Sequence, residues 1–168
     1  MNTAFSGNTS VPASVGITIR SARREDVPRI ATLIMLGAAK AEMTPDEIAA
    51  EATHPDYLAA FAAIEASPHN ALFVAETEGL VVGTFQVTLI PGLVGRGRMR
   101  AKFESVHVAP ECRGSGIGGV MIAHALAFAR EQGAGMAQLS SNKSRLDAHR
   151  FYVTLGFAQS HEGFKIEL

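Results

Sequence analysis

The stretch that most limits the fold runs from Arg98 to Arg130. Its first part, RMRAKFESVHV, reads as a long strand. Ala109-Pro110 stops it, because proline cannot donate to a central ladder. RGSGIGG follows, Arg113 to Gly119, and opens an apolar helix over Ile117 to Arg130. A strand, a glycine loop and a buried helix in that order describe a helix laid on a sheet. Such a loop offers backbone N–H groups and a helix N-terminus to an anion. Glycines suit it because a Cβ would obstruct the approach to phosphate, and some positions need positive φ. A turn that only packs a helix on a sheet explains one or two of these glycines, not all four beside an arginine.

Around this unit the chain alternates in type. Ile17 to Arg20 is a short strand. Asp26 precedes an amphipathic helix through Val27, Ile30, Leu33 and Ala38. Thr44-Pro45-Asp46-Glu47 forms a capping box, and Thr53-His54-Pro55-Asp56 repeats the signal, so two short helices should end by Ser67-Pro68. Ala71 to Thr77 and Leu80 to Ile90 read as a hairpin across Glu78-Gly79. Pro91 to Gly97 is a loop. Met136 to Ser140 is a strand, Asp147 caps a helix ending at Leu155-Gly156, and Phe157 onward gives one or two final strands ending in FKIEL. The expected architecture is mixed α+β: a central, mostly antiparallel, splayed sheet of six to seven strands flanked by about four helices.

The chain has 168 residues, 47% hydrophobic and 18% charged, with net charge −1. That balance fits one globular domain and excludes a disordered chain. It gives no global pull toward nucleic acid or an anionic membrane. The sequence predicts a flexible tail over residues 1–16, with no signal-peptide pattern, and a domain over 17–168. No apolar run is long enough for a membrane span. The single Cys112 fits a reducing compartment, and a cytoplasmic location is expected. Apolar composition and exposed strands are compatible with a homodimer. Histidines 54, 69, 107, 124, 149 and 161 show no ligand-pair spacing, so no metal is expected.

The loop itself has two spellings. Gly114, Gly116 and Gly119 read G-x-G-x-x-G, a dinucleotide fingerprint; counted from Arg113 the loop reads R-x-x-G-x-G. The fingerprint needs an acidic residue about 20 positions further on, where Leu139-Ser140-Ser141 stand instead. A Walker loop needs Gly-Lys-Ser/Thr, which is missing.

In its second spelling the sequence resembles the GNAT superfamily of N-acetyltransferases, from about Ile17 to the C-terminus. ESVHVAPECRGSGIG looks like the family's central strand and pyrophosphate loop, and SNKSRLDAHRFYVTLGF like its next strand end and helix. The resemblance implies acetyl-CoA as donor, an amine as acceptor, and a sheet that admits pantetheine between its central strands. Arg113, Gly114, Ser115, Gly116, Ile117, Gly118 and Gly119 would hold the pyrophosphate. Val106, His107 and Val108 would pair their backbone with pantetheine, with a Val106 N–H for the oxyanion. Asn142 matches a position that contacts CoA or orients the next helix; a plain loop cap is the alternative.

Acetyl transfer from a thioester to an amine asks for a neutral amine, oxyanion donors and a proton or hydrogen bond for the leaving thiolate. Tyr152 matches the family tyrosine that donates to the sulfur; an ordinary core aromatic is the alternative. Glu104 is the candidate general base, directly or through water, against a carboxylate merely paired with Lys102 or Arg100. Arg96, Arg98, Arg100 and Lys102 would share one face if all lie on a strand. They could attract an acidic acceptor or the phosphates of CoA, or form a solvated edge. Cys112 has no base placed beside it, His124 reads as structural and His149 as a capping or surface residue. The acceptor pocket would come from about Lys40 to Tyr57 and the Pro91–Arg98 loop, with no legible substrate signature. A CoA-binding sensor or structural domain without catalysis is the rival expectation.

Overall fold

The computed structural model describes residues 16–38 and 43–168. In chain order the elements are β1 (Ile17–Ser21), α1 (Val27–Gly37), α2 (Pro45–Glu51), α3 (Pro55–Ala66), β2 (Asn70–Thr77), β3 (Leu80–Ile90), α4 (Val94–Gly97), β4 (Arg100–Val108), α5 (Ile117–Glu131), β5 (Met136–Leu139) and α6 (Leu146–Thr154). The five strands stand in the order β1-β2-β3-β4-β5. Every neighbouring pair is antiparallel except β4 and β5, which the α5 crossover makes parallel.

Register explains how the strands share their residues between two faces. Phe73 pairs with Phe85, and Val87 with Phe103, so these side chains point to one face. There α5 lies over them: Phe73 sits edge-on to His124 and Phe128 of α5, and stacks on Phe85 at 5.1 Å. Phe85, Phe103, Met121 and Ile122 are among the most deeply buried side chains. Each such side chain contributes roughly 1.5–3 kcal/mol by leaving water. The opposite face carries Asn70, Gln86, Thr88, Lys102 and Glu104, also cross-strand neighbours. Helices α1 and α3 pack against the sheet at β3–β4 and at β2.

Local signals set the helix starts. Glu47 N–H donates to Thr44 Oγ1 at 3.3 Å, and Thr44 N–H donates to a Glu47 carboxylate oxygen at 2.7 Å, the expected capping box at α2. Asp26, before α1, is buried and accepts from Arg20 at 2.6 and 2.9 Å, which ties β1 to α1. The Arg20 guanidinium holds the Asp26 carboxyl below its usual range.

β4 is interrupted by a bulge. Gln86 faces Glu104 and Thr84 faces His107, leaving Phe85 opposite both Ser105 and Val106. Ser105 takes a left-handed φ of 50° there.

Four expectations need correction. Among the described residues the sheet has five strands rather than six to seven, with six α-helices rather than about four. The final strands do not form: residues 157–168 join no ladder, and Phe164, Ile166 and Leu168 are exposed. An alternating apolar pattern marks a face that can pack, but a strand also needs a partner. Arg96 and Arg98 precede β4, so the four-residue basic stripe does not exist; only Arg100 and Lys102 are strand neighbours. Asp147 lies in the first turn of α6, paired with Arg150, and Arg145 holds the cap position. Residues 1–15 of the expected tail and Lys40 of the expected acceptor region lie outside the described residues.

Candidate active site

The parallel pair β4–β5 is short. It runs from Arg100 opposite Met136 to Phe103 opposite Leu139 and stops. β4 continues to Val108, while the chain after Leu139 turns toward α6. The strands therefore part, and a cavity of about 260 Å³ opens between them. Phe103 to His107 and Leu139 to Asn142 line its two sides, with Ile34 and Gly37 of α1 and Arg145 and Tyr152 from the α6 end.

Tyr152 reaches this cavity from α6. Its ring packs against Phe151 and Phe157, at 5.2 and 5.8 Å between centroids. Burial pushes its phenol up from the ordinary value, against a smaller opposing effect of the Arg145 guanidinium. The phenol thus keeps its proton across the neutral range and can donate it. Glu104 lines the same cavity. One of its oxygens meets Lys102 Nζ at 2.7 Å, and the other lies 3.2 Å from Thr88 Oγ1.

His107 shares the cavity, because the bulge brings it to the face of Glu104. Its ring presses on the end of α1: a Cβ at Gly37 would stand 1.9 Å from His107 Nδ1. Burial, assisted by the nearby Arg145 and Arg113 charges, lowers its pKa to about 4. His107 is therefore a neutral imidazole near pH 7. The sequence reading gave it only a backbone role, so the placement of the ring is new.

The glycine loop leads from η-turn Pro110–Cys112 into α5. Gly114 and Gly116 have φ of 80° and 87°, which strains any other residue. Gly118 serves packing instead: a Cβ there would lie 3.2 Å from Phe151 Cζ. At Gly114, Gly116 and Gly119 a Cβ would meet nothing within 4 Å. Among the described residues no side chain caps α5; the Gly119 N–H donates to the Gly116 carbonyl at 3.0 Å, which leaves the N–H groups of Ile117 and Gly118 for a ligand. Arg113 Nε donates to the Val108 carbonyl at 3.2 Å, and Ser115 Oγ to the Cys112 carbonyl at 2.5 Å.

Asn142 lines the cavity, yet its side-chain carbonyl is engaged by Ser144 N–H and Ser144 Oγ, both at 2.9 Å. That is the loop-cap role. His149 Nε2 lies 2.9 Å from the Asn142 carbonyl and steadies the same turn. His124 is packed on Phe73 and Phe85, as a structural residue should be. Among the cavity residues that the sequence did not single out, two carry polar groups without a described partner. Arg145 lines the cavity with no carboxylate partner among the described residues. Ser141 has a buried hydroxyl with no hydrogen-bond partner among the described residues. Arg145 stands three residues past Asn142, and only that proximity hinted at it.

Comparison with known proteins agrees with this geometry. A 1.00-probability structural match of TM-score 0.82 is a transcriptional regulator from Bacillus halodurans C-125, 34% identical, covering 90% of this chain and 99% of that one. A protein from Agrobacterium tumefaciens str. C58 that is assigned as an acetyltransferase matches at TM-score 0.73 and 29% identity, over 90% and 99% of the two chains. The aminoalkylphosphonate N-acetyltransferase of Salmonella typhimurium is 43% identical over 63 residues, 38% of this chain and 41% of that protein. The curated relatives are matched over less than half of their own length. The model of the acetyltransferase (GNAT) family matches residues 38–157, which is most of the sheet, the glycine loop and α6, and the chain belongs to that family.

Proposed function

We propose that the chain transfers an acetyl group from acetyl-CoA to a primary amine by direct attack, with both substrates bound. The observation that carries this reading is that Glu104 and Tyr152 line one cavity, at the place where β4 and β5 part. The loop suits the pyrophosphate of CoA: it has open space at Gly114, Gly116 and Gly119 and an uncapped helix start. Residues 113–119 hold that group, and the unpaired side of Val106 to Val108 accompanies pantetheine as an added strand would.

Acetyl-CoA, when bound, supplies an acyl carbon activated by its bond to sulfur. Glu104 takes a proton from the acceptor ammonium, directly or through a water, and frees the nitrogen lone pair. The Val106 N–H donates to the carbonyl oxygen as negative charge grows on it. A C–N bond forms, the C–S bond breaks, and Tyr152 Oη donates its proton to the departing sulfur. The acylated nitrogen gives its surplus proton to the Tyr152 phenolate, and solvent removes the proton held by Glu104, so that one proton is released for each acetyl group transferred.

The Salmonella relative is named for aminoalkylphosphonates, which makes small anionic amines the first acceptors to try. An acetylation screen over small amines, amino acids, aminoglycosides and peptides, with products identified by mass, tests the activity. Glu104→Gln should lower turnover by about tenfold or more, most at low pH, where the acceptor is protonated. Unchanged rates across pH would remove Glu104 as base. The Bacillus relative's description as a transcriptional regulator favours a second reading, a CoA-binding domain without turnover. Thermal stabilisation by CoA with no product from any amine selects it.

A further inference from the structure

Glu104 belongs to a hydrogen-bonded file that crosses three strands on the polar face. Asn70 Nδ2 donates to Ser67 Oγ at 2.9 Å, where α3 ends. This fixes the amide so that Asn70 Oδ1 faces β3. There it accepts from Gln86 Nε2 at 3.1 Å and lies 2.9 Å from Thr88 Oγ1. Thr88 Oγ1 in turn lies 3.2 Å from Glu104 Oε2.

Thr88 therefore has two acceptors and one proton. A hydroxyl rotates freely about its C–O bond and can serve only one of them at a time. With Glu104 ionised, Thr88 donates to Oε2, and Asn70 Oδ1 still accepts from Gln86. With Glu104 protonated on Oε2, the carboxyl donates to Thr88 Oγ1, and Thr88 turns its own proton to Asn70 Oδ1. No polar atom of the file loses its partner in either state.

We infer that Thr88 is a positioning residue whose hydroxyl turns between Asn70 and Glu104, so that Glu104 gains and loses a proton without moving. The inference rests on the proposed role of Glu104 as base. The step is a proton arriving at Glu104 Oε2 from the acceptor ammonium; the Thr88 proton only reorients, and no bond to it breaks. The charged and titratable groups facing Glu104 are Lys102 on its own strand, His107 past the bulge, and Arg145 and Tyr152 from the α6 end. Among the described residues α1 brings only Ile34, Gly37 and Ala38 to the cavity, and the neighbouring side chains of β3 are neutral.

Thr88→Val keeps the shape and removes the hydroxyl; Thr88→Ser restores it. The ionised carboxylate loses more than the protonated form does, because a hydrogen bond to a charged acceptor is the stronger one. A carbon-13 titration of the Glu104 carboxyl, assigned by its disappearance in Glu104→Gln, should show the Thr88→Val curve displaced to higher pH than the parent's. Thr88→Ser should return it to the parent value. A Thr88→Val titration that coincides with the parent overturns the inference, as does a Thr88→Ser titration that stays with Thr88→Val. The acidic limb of kcat/KM should move with the carboxyl. If Glu104→Gln leaves that limb in place, Glu104 is not the base, while the carboxyl titration still reports on Thr88.

Discussion

The two faces of β2, β3 and β4 are built by one alternation and have opposite tolerance to change. On the α5 face Phe73, Phe85, Val87 and Phe103 interlock with Met121 and Ile122, and almost nothing polar is present. On the other face, one residue along in each strand, Asn70, Thr88, Lys102 and Glu104 hold each other by directed bonds beside an open cavity. The first face stores stability. The second gives up burial to keep charge and protons accessible. Substitutions on the two faces should therefore fail in different assays.

The widest separation is expected at Phe85. Phe85→Ala removes a fully buried ring stacked on Phe73 and should cost about 3–5 kcal/mol in a denaturant unfolding experiment. A loss under about 1 kcal/mol would mean that the apolar face is not the main store of stability. Tyr152→Phe asks the converse question of the cavity. It keeps the contacts with Phe151 and Phe157 but deletes the donor, so turnover should fall by about a hundredfold while CoA affinity and melting temperature hold. Unchanged turnover would return Tyr152 to the core aromatics.

The smallest effect is at His107, where the two functions meet. Its folded pKa, about 4, lies below the ordinary 6.5, so the unfolded chain binds the proton more readily between those values. Its contribution to stability is complete above pH 6.5 and is lost as pH falls toward 4. Melting temperatures taken down that range should drop less steeply in His107→Gln than in the parent. Parallel curves would show that the buried imidazole is not an acid-sensitive element.

Much of this plan was legible from residues that act locally. Leu80 to Ile90 was bounded to the residue, because a turn at Glu78-Gly79 and Pro91 frame it. Thr44 with Glu47 gave α2, and the strand–loop–helix at RGSGIGG gave the crossover and the family resemblance. What could not be read depends on partners. FKIEL has the alternation of a strand but no strand partner among the described residues, and the nearest side-chain tie lies before it, at Glu162, which meets Lys143 at 3.2 Å. Arg145, Ser141 and the ring of His107 enter the site only because β4 and β5 part after Phe103 and Leu139, and no spacing in the sequence encodes that divergence. The file from Ser67 to Glu104 joins residues up to 37 positions apart through strand register alone.

The bulge at Ser105–Val106 has a consequence for how this chain can vary. His107 stands three positions after Glu104, an odd offset that in a regular strand sends the two to opposite faces. The extra residue reverses the parity and places both in the cavity. Substitutions within β4 change one side chain at a time. Deleting one of the two bulge residues would leave a single residue opposite Phe85, so His107, then two positions after Glu104, would keep the cavity face and its place opposite Thr84. The bulge is thus the place where β4 can lose a residue and still keep Glu104 and His107 on one face.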